Sequence, residues 1–265
     1  MTANPFSLEG KAAIVTGANT GLGQGMAVAL AEAGADLALV GRSSPDETVE
    51  LVRKAGRKAH VIMADLGSLD PVDTIVGETK EALGGLDILV NNAGNVIFEN
   101  IEDCSLEHFK LHLDIHVVGT FLGCKYALPL MKHRHKENGG GGSSIINMAS
   151  TAALMGYAAI PAYTAAKGGI SAMTRSIAMH CQDEGYGIRC NALAPGGIET
   201  PMVRSVSGRD GEELLDIPSG PLAADALGDP QDVAGCVLFL ASDDARFLNG
   251  LTIPVDNGLD ARPHH

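Results

Sequence analysis

The sequence predicts a doubly wound α/β fold, a seven-stranded parallel sheet with helices on both faces, and three observations carry that prediction. Apolar runs of about five residues alternate with longer amphipathic stretches, the pattern of repeated βαβ units. Seven such runs occur, too many for a small α/β unit. Gly17, Gly21 and Gly23 cluster where the first run gives way to a helical pattern. The chain has 265 residues, and α/β folds of about 200 to 250 residues routinely form one domain around one sheet. No internal repeat or Pro/Ser-rich linker divides residues 1–265, so a single domain is expected.

Ala12 to Thr16 reads as the first strand. It passes through the three glycines into a helix from Met26 to Glu32, where the backbone must turn tightly and present helix N-terminal N–H groups to an anion. The second strand, Asp36 to Val40, ends at Gly41, with Arg42, Ser43 and Ser44 beyond it. Ala59 to Met63 and Ile88 to Asn91 are the third and fourth strands. A long helix follows Ser105 and runs to about Lys136, with Phe109, Leu113, Val117, Phe121 and Leu128 as its apolar positions, and the Gly139 to Gly142 run ends it in a flexible tip. Ser144 to Met148, Ile188 to Ala192 and Leu251 to Val255 complete the seven strands.

Composition excludes several classes of function. A hydrophobic content of 45% suits a close-packed core, and a formal charge of −13 repels nucleic-acid backbones and anionic lipid, so neither partner is expected. No run approaches the roughly 20 apolar residues of a membrane span. Met1 to Pro5 lacks the basic start and apolar run of a leader, and a cytoplasmic location is expected. Lys132-His133-Arg134-His135-Lys136 reads as a solvated helix C-terminus favourable to the helix dipole. The five cysteines show neither CxxC spacing nor a disulfide framework and read as reduced, mostly buried thiols; His264 and His265 have no partners for a metal, and none is expected.

Of the four tyrosines only Tyr163 is followed at i+4 by a lysine, Lys167. Along the chain stand Thr16-Gly17-Ala18-Asn19-Thr20-Gly21-Leu22-Gly23, Asp65 after the third strand, Asn91-Asn92-Ala93-Gly94 after the fourth, Ser150 after the fifth, Tyr163 and Lys167, then Pro195-Gly196 after the sixth. In these motifs, their order and nearly its whole length, the chain resembles the short-chain dehydrogenase/reductase family, which implies a Rossmann fold and an NAD(P)-dependent oxidoreductase. The resemblance implies cofactor contacts at Gly17, Asn19, Thr20, Gly21, Leu22 and Gly23, at Arg42 and Ser43, and at Asp65, which holds the adenine, with Leu66. It implies further contacts at Asn91, Ala93 and Gly94, at Tyr163 and Lys167, and at Pro195, Gly196, Ile198 and Thr200, the last bonding the nicotinamide carboxamide. The family's habit of forming tetramers implies a homotetramer, with the long helices and last strand in the contacts.

NADP(H) is favoured over NAD(H). Where an aspartate would accept both ribose hydroxyls and repel a 2′-phosphate stands Gly41, and Arg42 with Ser43 and Ser44 offers a guanidinium and hydroxyls instead. Arg42 stacking on the adenine is the alternative, and Thr20 stands where NADP-preferring relatives often carry a second basic residue.

Hydride transfer to or from a carbinol carbon needs a partner for the hydroxyl proton, and a tyrosine with a pKa of about 10 is too weak a base unless its pKa falls. Lys167, on the same helix face, and an oxidised nicotinamide are expected to lower it. Ser150 is placed to hold the substrate oxygen against the phenol, with a helix cap as its plain structural reading. The fourth catalytic position departs from the family pattern: His116 stands where the family usually has asparagine. There the family residue binds, largely through its backbone carbonyl, a water linking the lysine to solvent. Because histidine retains a carbonyl, activity is expected to survive with altered pH dependence; a histidine packed against the active-site helix is the other reading.

Residues 200–225 are expected to form a substrate lid of mixed polarity, with Thr151 to Tyr157 as another wall. Phe6 to Lys11 and Gly21 to Met26 are similar to the sugar-acid (deoxygluconate-type) branch, whereas Ser144 to Ser150 and Gly187 to Asn191 are similar to hydroxysteroid and alicyclic alcohol dehydrogenases. Because the pocket lies in the later half, a secondary alcohol or ketone is expected, with a sugar acid as the alternative. A non-catalytic NADP(H)-binding sensor or scaffold is the alternative of another class; it would keep the glycines and lose the Tyr/Lys pair, and this chain keeps both.

Overall fold

The computed structural model describes residues 6–68, 72–137, 142–206 and 226–261. The expected positions at Met1 to Pro5, Gly139 to Gly141, 207–225 and His264-His265 lie outside them. Seven strands form one sheet: β1 (Ala12–Thr16), β2 (Asp36–Gly41), β3 (Ala59–Met63), β4 (Ile88–Asn91), β5 (Ser143–Met148), β6 (Ile188–Pro195) and β7 (Thr252–Val255). Their order is β3-β2-β1-β4-β5-β6-β7 and every pairing is parallel. The chain therefore switches direction across the sheet between β1 and β4, and a crevice opens there at the strands' carboxyl ends.

All of β1 is buried because both faces of the sheet are covered, as a parallel sheet with crossover helices requires. Ala13 and Val15 face one layer, with Met26 and Leu30 of α1 (Gly21–Glu32) and Val233, Val237 and Leu240 of α8 (Pro230–Ala241). Ile14 points the other way, to a layer with Ile75 of α3 (Val72–Leu83), Cys124, Ala127 and Met131 of α5 (Gly119–Glu137), and Ala178 and Cys181 of α6 (Pro161–Asp183). The remaining α-helices among the described residues are α2 (Asp46–Lys54), α4 (Leu106–His112) and α7 (Pro201–Val206).

Several expected boundaries move. β6 runs on to Pro195 because Ala194 and Pro195 pair with Pro254 and Val255 at the sheet edge, where a proline's missing N–H is tolerated. The helix α1 begins at Gly21, five residues before the expected Met26, since glycine is no obstacle in a first turn. The long helix after Ser105 is interrupted by a π-helical turn over Leu113–Val118 before continuing as α5. Its buried residues include His112, His116, Thr120, Cys124, Ala127, Leu130 and Met131, whereas Phe121 is 47% exposed. Small side chains let this helix lie close to the sheet, and the wider turn shifts which residues face it.

The basic cluster is only partly a solvated terminus. Arg134 Nη2 pairs at 3.1 Å with Asp87, which is 1% exposed, and also donates to the carbonyl of Gly10. Lys132 Nζ lies 4.0 Å from the centroid of the Tyr186 ring. The five cysteines are free thiols, with Cys124, Cys181 and Cys190 buried. No described helix is long and apolar enough to cross a membrane. Replacing Arg134 with Met removes the cation from a buried carboxylate and is expected to cost about 3 kcal/mol of stability, read by chemical denaturation against the native chain.

Candidate active site

A cleft follows the carboxyl ends of the central strands in two lobes that share Gly17, Thr20, Ala93, Gly94 and Asn95. Asn19, Gly41, Arg42, Ser43, Asp65 and Leu66 line one lobe. The other is lined by Gly21, Leu22 and Gly23, by His116, Ser150, Tyr163 and Lys167, and by Pro195, Gly196, Ile198 and Thr200. Residues from eight separate segments thus meet along one groove. The cleft does not include Asn91: it is buried, and its Nδ2 donates to Asn147 Oδ1 at 2.9 Å and to Cys124 Sγ. Because side chains alternate along a strand, the next residue faces the cleft instead. Asn92 Nδ2 donates to the carbonyls of Thr16 and Gly17 and so supports the glycine turn from beneath. Sequence reasoning also missed Asn95 and Ile115 as lining residues; neither stands in a motif that distinguishes it.

The glycine turn fits a dinucleotide diphosphate. Gly17 has φ +66°, and a Cβ there would lie 3.0 Å from the Cα of Ala93. At Gly23 a Cβ would collide with the carbonyl of Gly17. Thr20 makes no side-chain cap and the first turn of α1 carries no acidic residue, so the helix end is left as a site for negative charge.

At the far end, a Cβ on Gly41 would run into the side chain of Asn19, which donates to the backbone carbonyl and hydroxyl of Ser43. Any side chain on that strand end would have to displace the Asn19 amide. Ser44 donates its hydroxyl to Asp46, so it does not offer the anion ligand expected of it. The exposed Arg42 is the cation at this lip.

Tyr163 and Lys167 occupy the first and second turns of α6, which starts with Pro161 at its first position. The plain structural reading of Ser150 holds: its Oγ accepts from the N–H of Ala152, capping the 3₁₀ turn Thr151–Ala153, and the residue lines the same lobe as Tyr163. Lys167 is 4% exposed and donates from Nζ to the carbonyl of Met148 at 2.6 Å. Its Nζ lies 5.4 Å from the Tyr163 ring centroid.

Burial, more than mutual attraction, governs these groups. It pushes Tyr163 up to about 12, opposed by the Ser150 hydrogen bond, and Lys167 down to about 7. The expected lowering of the tyrosine by its lysine is therefore absent from the protein's own electrostatics. What the site presents is a neutral phenol.

His116 is 1% exposed, its Nε2 lies 2.8 Å from the carbonyl of Asn95, and its ring meets Tyr163 edge-on at 5.3 Å. The carbonyl makes Nε2 the protonated nitrogen, leaving Nδ1 without a hydrogen-bond partner among the described residues. Burial, then the Lys167 charge, push it down to about 2. The imidazole is neutral at any working pH, which overturns the expectation that its titration alters pH dependence.

The fold and cleft define a nucleotide-dependent oxidoreductase of the doubly wound class, and comparison with known proteins narrows this. A family model described as Enoyl-(Acyl carrier protein) reductase matches residues 17–260. The chain belongs to the short-chain dehydrogenase/reductase family. It is 37% identical to the 2-dehydro-3-deoxy-D-gluconate 5-dehydrogenase of Escherichia coli over 99% of this chain and 100% of that protein. It is 32% identical to the NADP-dependent (R)-specific alcohol dehydrogenase of Lentilactobacillus kefiri, over 96% of this chain and 98% of that one. A crystal structure of an Agrobacterium tumefaciens protein assigned as a 2-deoxy-D-gluconate 3-dehydrogenase, with bound NADP, superposes with a TM-score of 0.81 at 35% identity, covering 98% of this chain and 100% of its own.

Two outcomes are expected. The pH–rate profiles of the native chain and His116→Asn superimpose between about pH 5 and 9, because no imidazole titrates there. Lys167 has a folded pKa of about 7 against an ordinary 10.5, so between those values the unfolded chain binds a proton that the folded one does not, and stability rises with pH across that window. Denaturation midpoints measured against pH show that rise in the native chain, and it disappears in Lys167→Met.

Proposed function

We propose that the chain is an NADP(H)-preferring alcohol dehydrogenase and ketoreductase that interconverts a secondary alcohol and a ketone. The observation that carries this reading is the convergence of Ser150, Tyr163 and Lys167 in the lobe that continues from the glycine cradle. The bound nicotinamide supplies or receives the hydride. In reduction Tyr163 gives its phenolic proton to the carbonyl oxygen, which Ser150 holds in place, and in oxidation the phenolate takes the hydroxyl proton back. Lys167, anchored on Met148, stands beside the phenol and steadies its anionic form when protonated. His116 packs against the ring as a neutral spacer.

Arg42, the vacant strand end at Gly41 and the NADP named for two of the relatives support the cofactor preference. The described substrate lobe is walled by Ile198, Met202, Val203 and Met148, and its only described cation, Lys167, is already bonded to a backbone carbonyl; this favours a substrate of modest polarity over a carboxylate. A sugar acid is the second reading, favoured by the Escherichia coli and Agrobacterium relatives. Reduced thiols support a cytoplasmic setting. Exposed Phe121 and Tyr126 on α5, Met179 on α6 and Leu251 beside β7 support a homotetramer through the long helices and last strand.

Absorbance at 340 nm with NADP and NAD against steroid, alicyclic and sugar-acid alcohols tests the reading. Tyr163→Phe is expected to lose about 10²- to 10⁴-fold in kcat/KM; turnover undiminished in that variant, or absent with every alcohol, ends it. Arg42→Ala is expected to raise KM for NADP about tenfold or more, the value of a charge-assisted hydrogen bond, and to leave KM for NAD nearly unchanged.

A further inference from the structure

Histidines recur at every fourth position from 108 to 116 along α4 and the π turn, and each is joined to a different residue of the irregular segment that follows β4. His116 Nε2 lies 2.8 Å from the carbonyl of Asn95. The N–H of Ile97 donates to His112 Nε2 at 3.2 Å. His108 Nδ1 is 2.7 Å from Glu99 Oε1. Four residues of helix advance about 6 Å and two residues of open chain span about 6.6 Å, so the two periods match and every second residue finds a rung.

The tautomers are defined by the partners. His112 Nδ1 lies 2.8 Å from the carbonyl of His108 and is its donor nitrogen, which leaves Nε2 as a pure acceptor for Ile97. His116 is the reverse, donating from Nε2. The rings of His112 and His116 stack 6.0 Å apart, and both meet Tyr163 edge-on, at 6.2 Å and 5.3 Å. The held segment begins where the two lobes of the cleft join: Asn95 lines both, and the His116 ring lies so close over Gly94 that a Cβ there would collide with it.

We propose that His108, His112 and His116 are positioning residues, a three-rung ladder that holds the Asn95 to Glu99 segment as the wall common to both lobes and thereby sets how tightly a dinucleotide is held. The first half of this rests on the hydrogen bonds alone, and the second on the reading of the cleft as a cofactor site. The middle rung matters most, because His112 is 1% exposed and its loss strands the Ile97 N–H.

His112→Phe keeps a ring of similar area and removes the acceptor, whereas His112→Gln supplies an amide oxygen in its place. Hydrogen–deuterium exchange across residues 94–104 and the Kd of NADPH by fluorescence titration read the two halves. In His112→Phe, exchange over Asn95 to Glu99 is expected to quicken about tenfold and the Kd for NADPH to rise about tenfold, the equivalent of about 1.4 kcal/mol, with β1 and β5 unchanged. His112→Gln is expected to recover most of both. Unaltered exchange in the Phe variant overturns the ladder, as does a Gln variant equally impaired, which would assign the effect to ring packing. If the Phe variant does not fold, His108→Ala opens the outer rung, and unchanged exchange at residues 97–99 overturns the proposal. A native chain that binds no NADPH overturns the cofactor reading and the second half with it, while the exchange measurement still decides the first.

Discussion

The cleft depends on a clasp between the ends of β1 and β4. Thr16 Oγ1 accepts from the N–H groups of Asn92 and Ala93 at 2.9 and 3.0 Å and donates to the carbonyl of Val90, while the Asn92 side chain reaches back to the carbonyls of Thr16 and Gly17. These strands flank the point where the sheet's order reverses, so nothing in the ladder beyond them keeps their loops together. The clasp holds the glycine turn open toward the cleft and launches the segment that begins at Gly94. The glycines supply the clearance; Thr16 and Asn92 supply the position.

Beneath that clasp lies a polar core. Asn147, fully buried, accepts from Asn91 and donates to Thr174 Oγ1 at 3.0 Å and to Cys190 Sγ, tying β4, β5 and β6 to α6. Buried amides survive only when their hydrogen bonds are met, and here each side chain meets the other's needs. Asn91 therefore belongs to the support of the site and not to its surface. The same helix α6 carries Tyr163 and Lys167, and Lys167 bonds the carbonyl at the end of β5, so this pair is registered against the sheet from two sides.

The electrostatics follow from burial. A tyrosine raised and a lysine lowered are both pushed toward their neutral forms, and a neutral histidine sits edge-on to the phenol. Such a site keeps the phenol in its neutral form, and a phenolate there needs a positive charge brought in from outside the protein's own side chains. His116 fills, with a ring, a place where the family usually carries asparagine, and the ring is accommodated because residue 94 is glycine.

The sequence by itself determined the class of fold, the seven strands to within a few residues, and the glycine cradle, and it singled out Tyr163 and Lys167, because each has a local signature: an apolar run, a missing Cβ, a four-residue spacing on one helix face; Ser150 was legible only through resemblance, by its place after the fifth strand. Tertiary structure alone decided which way a polar side chain faces and what state burial leaves it in. Strand alternation turned Asn91 inward and Asn92 outward; packing buried His112 and His116 and left Phe121 exposed; an ion pair with buried Asp87 drew Arg134 out of solvent. The same holds for the histidine ladder, whose four-residue spacing is legible in the sequence but whose partners at 95, 97 and 99 are not, because hydrogen bonds between a helix and an irregular segment have no period that the segment's own residues record.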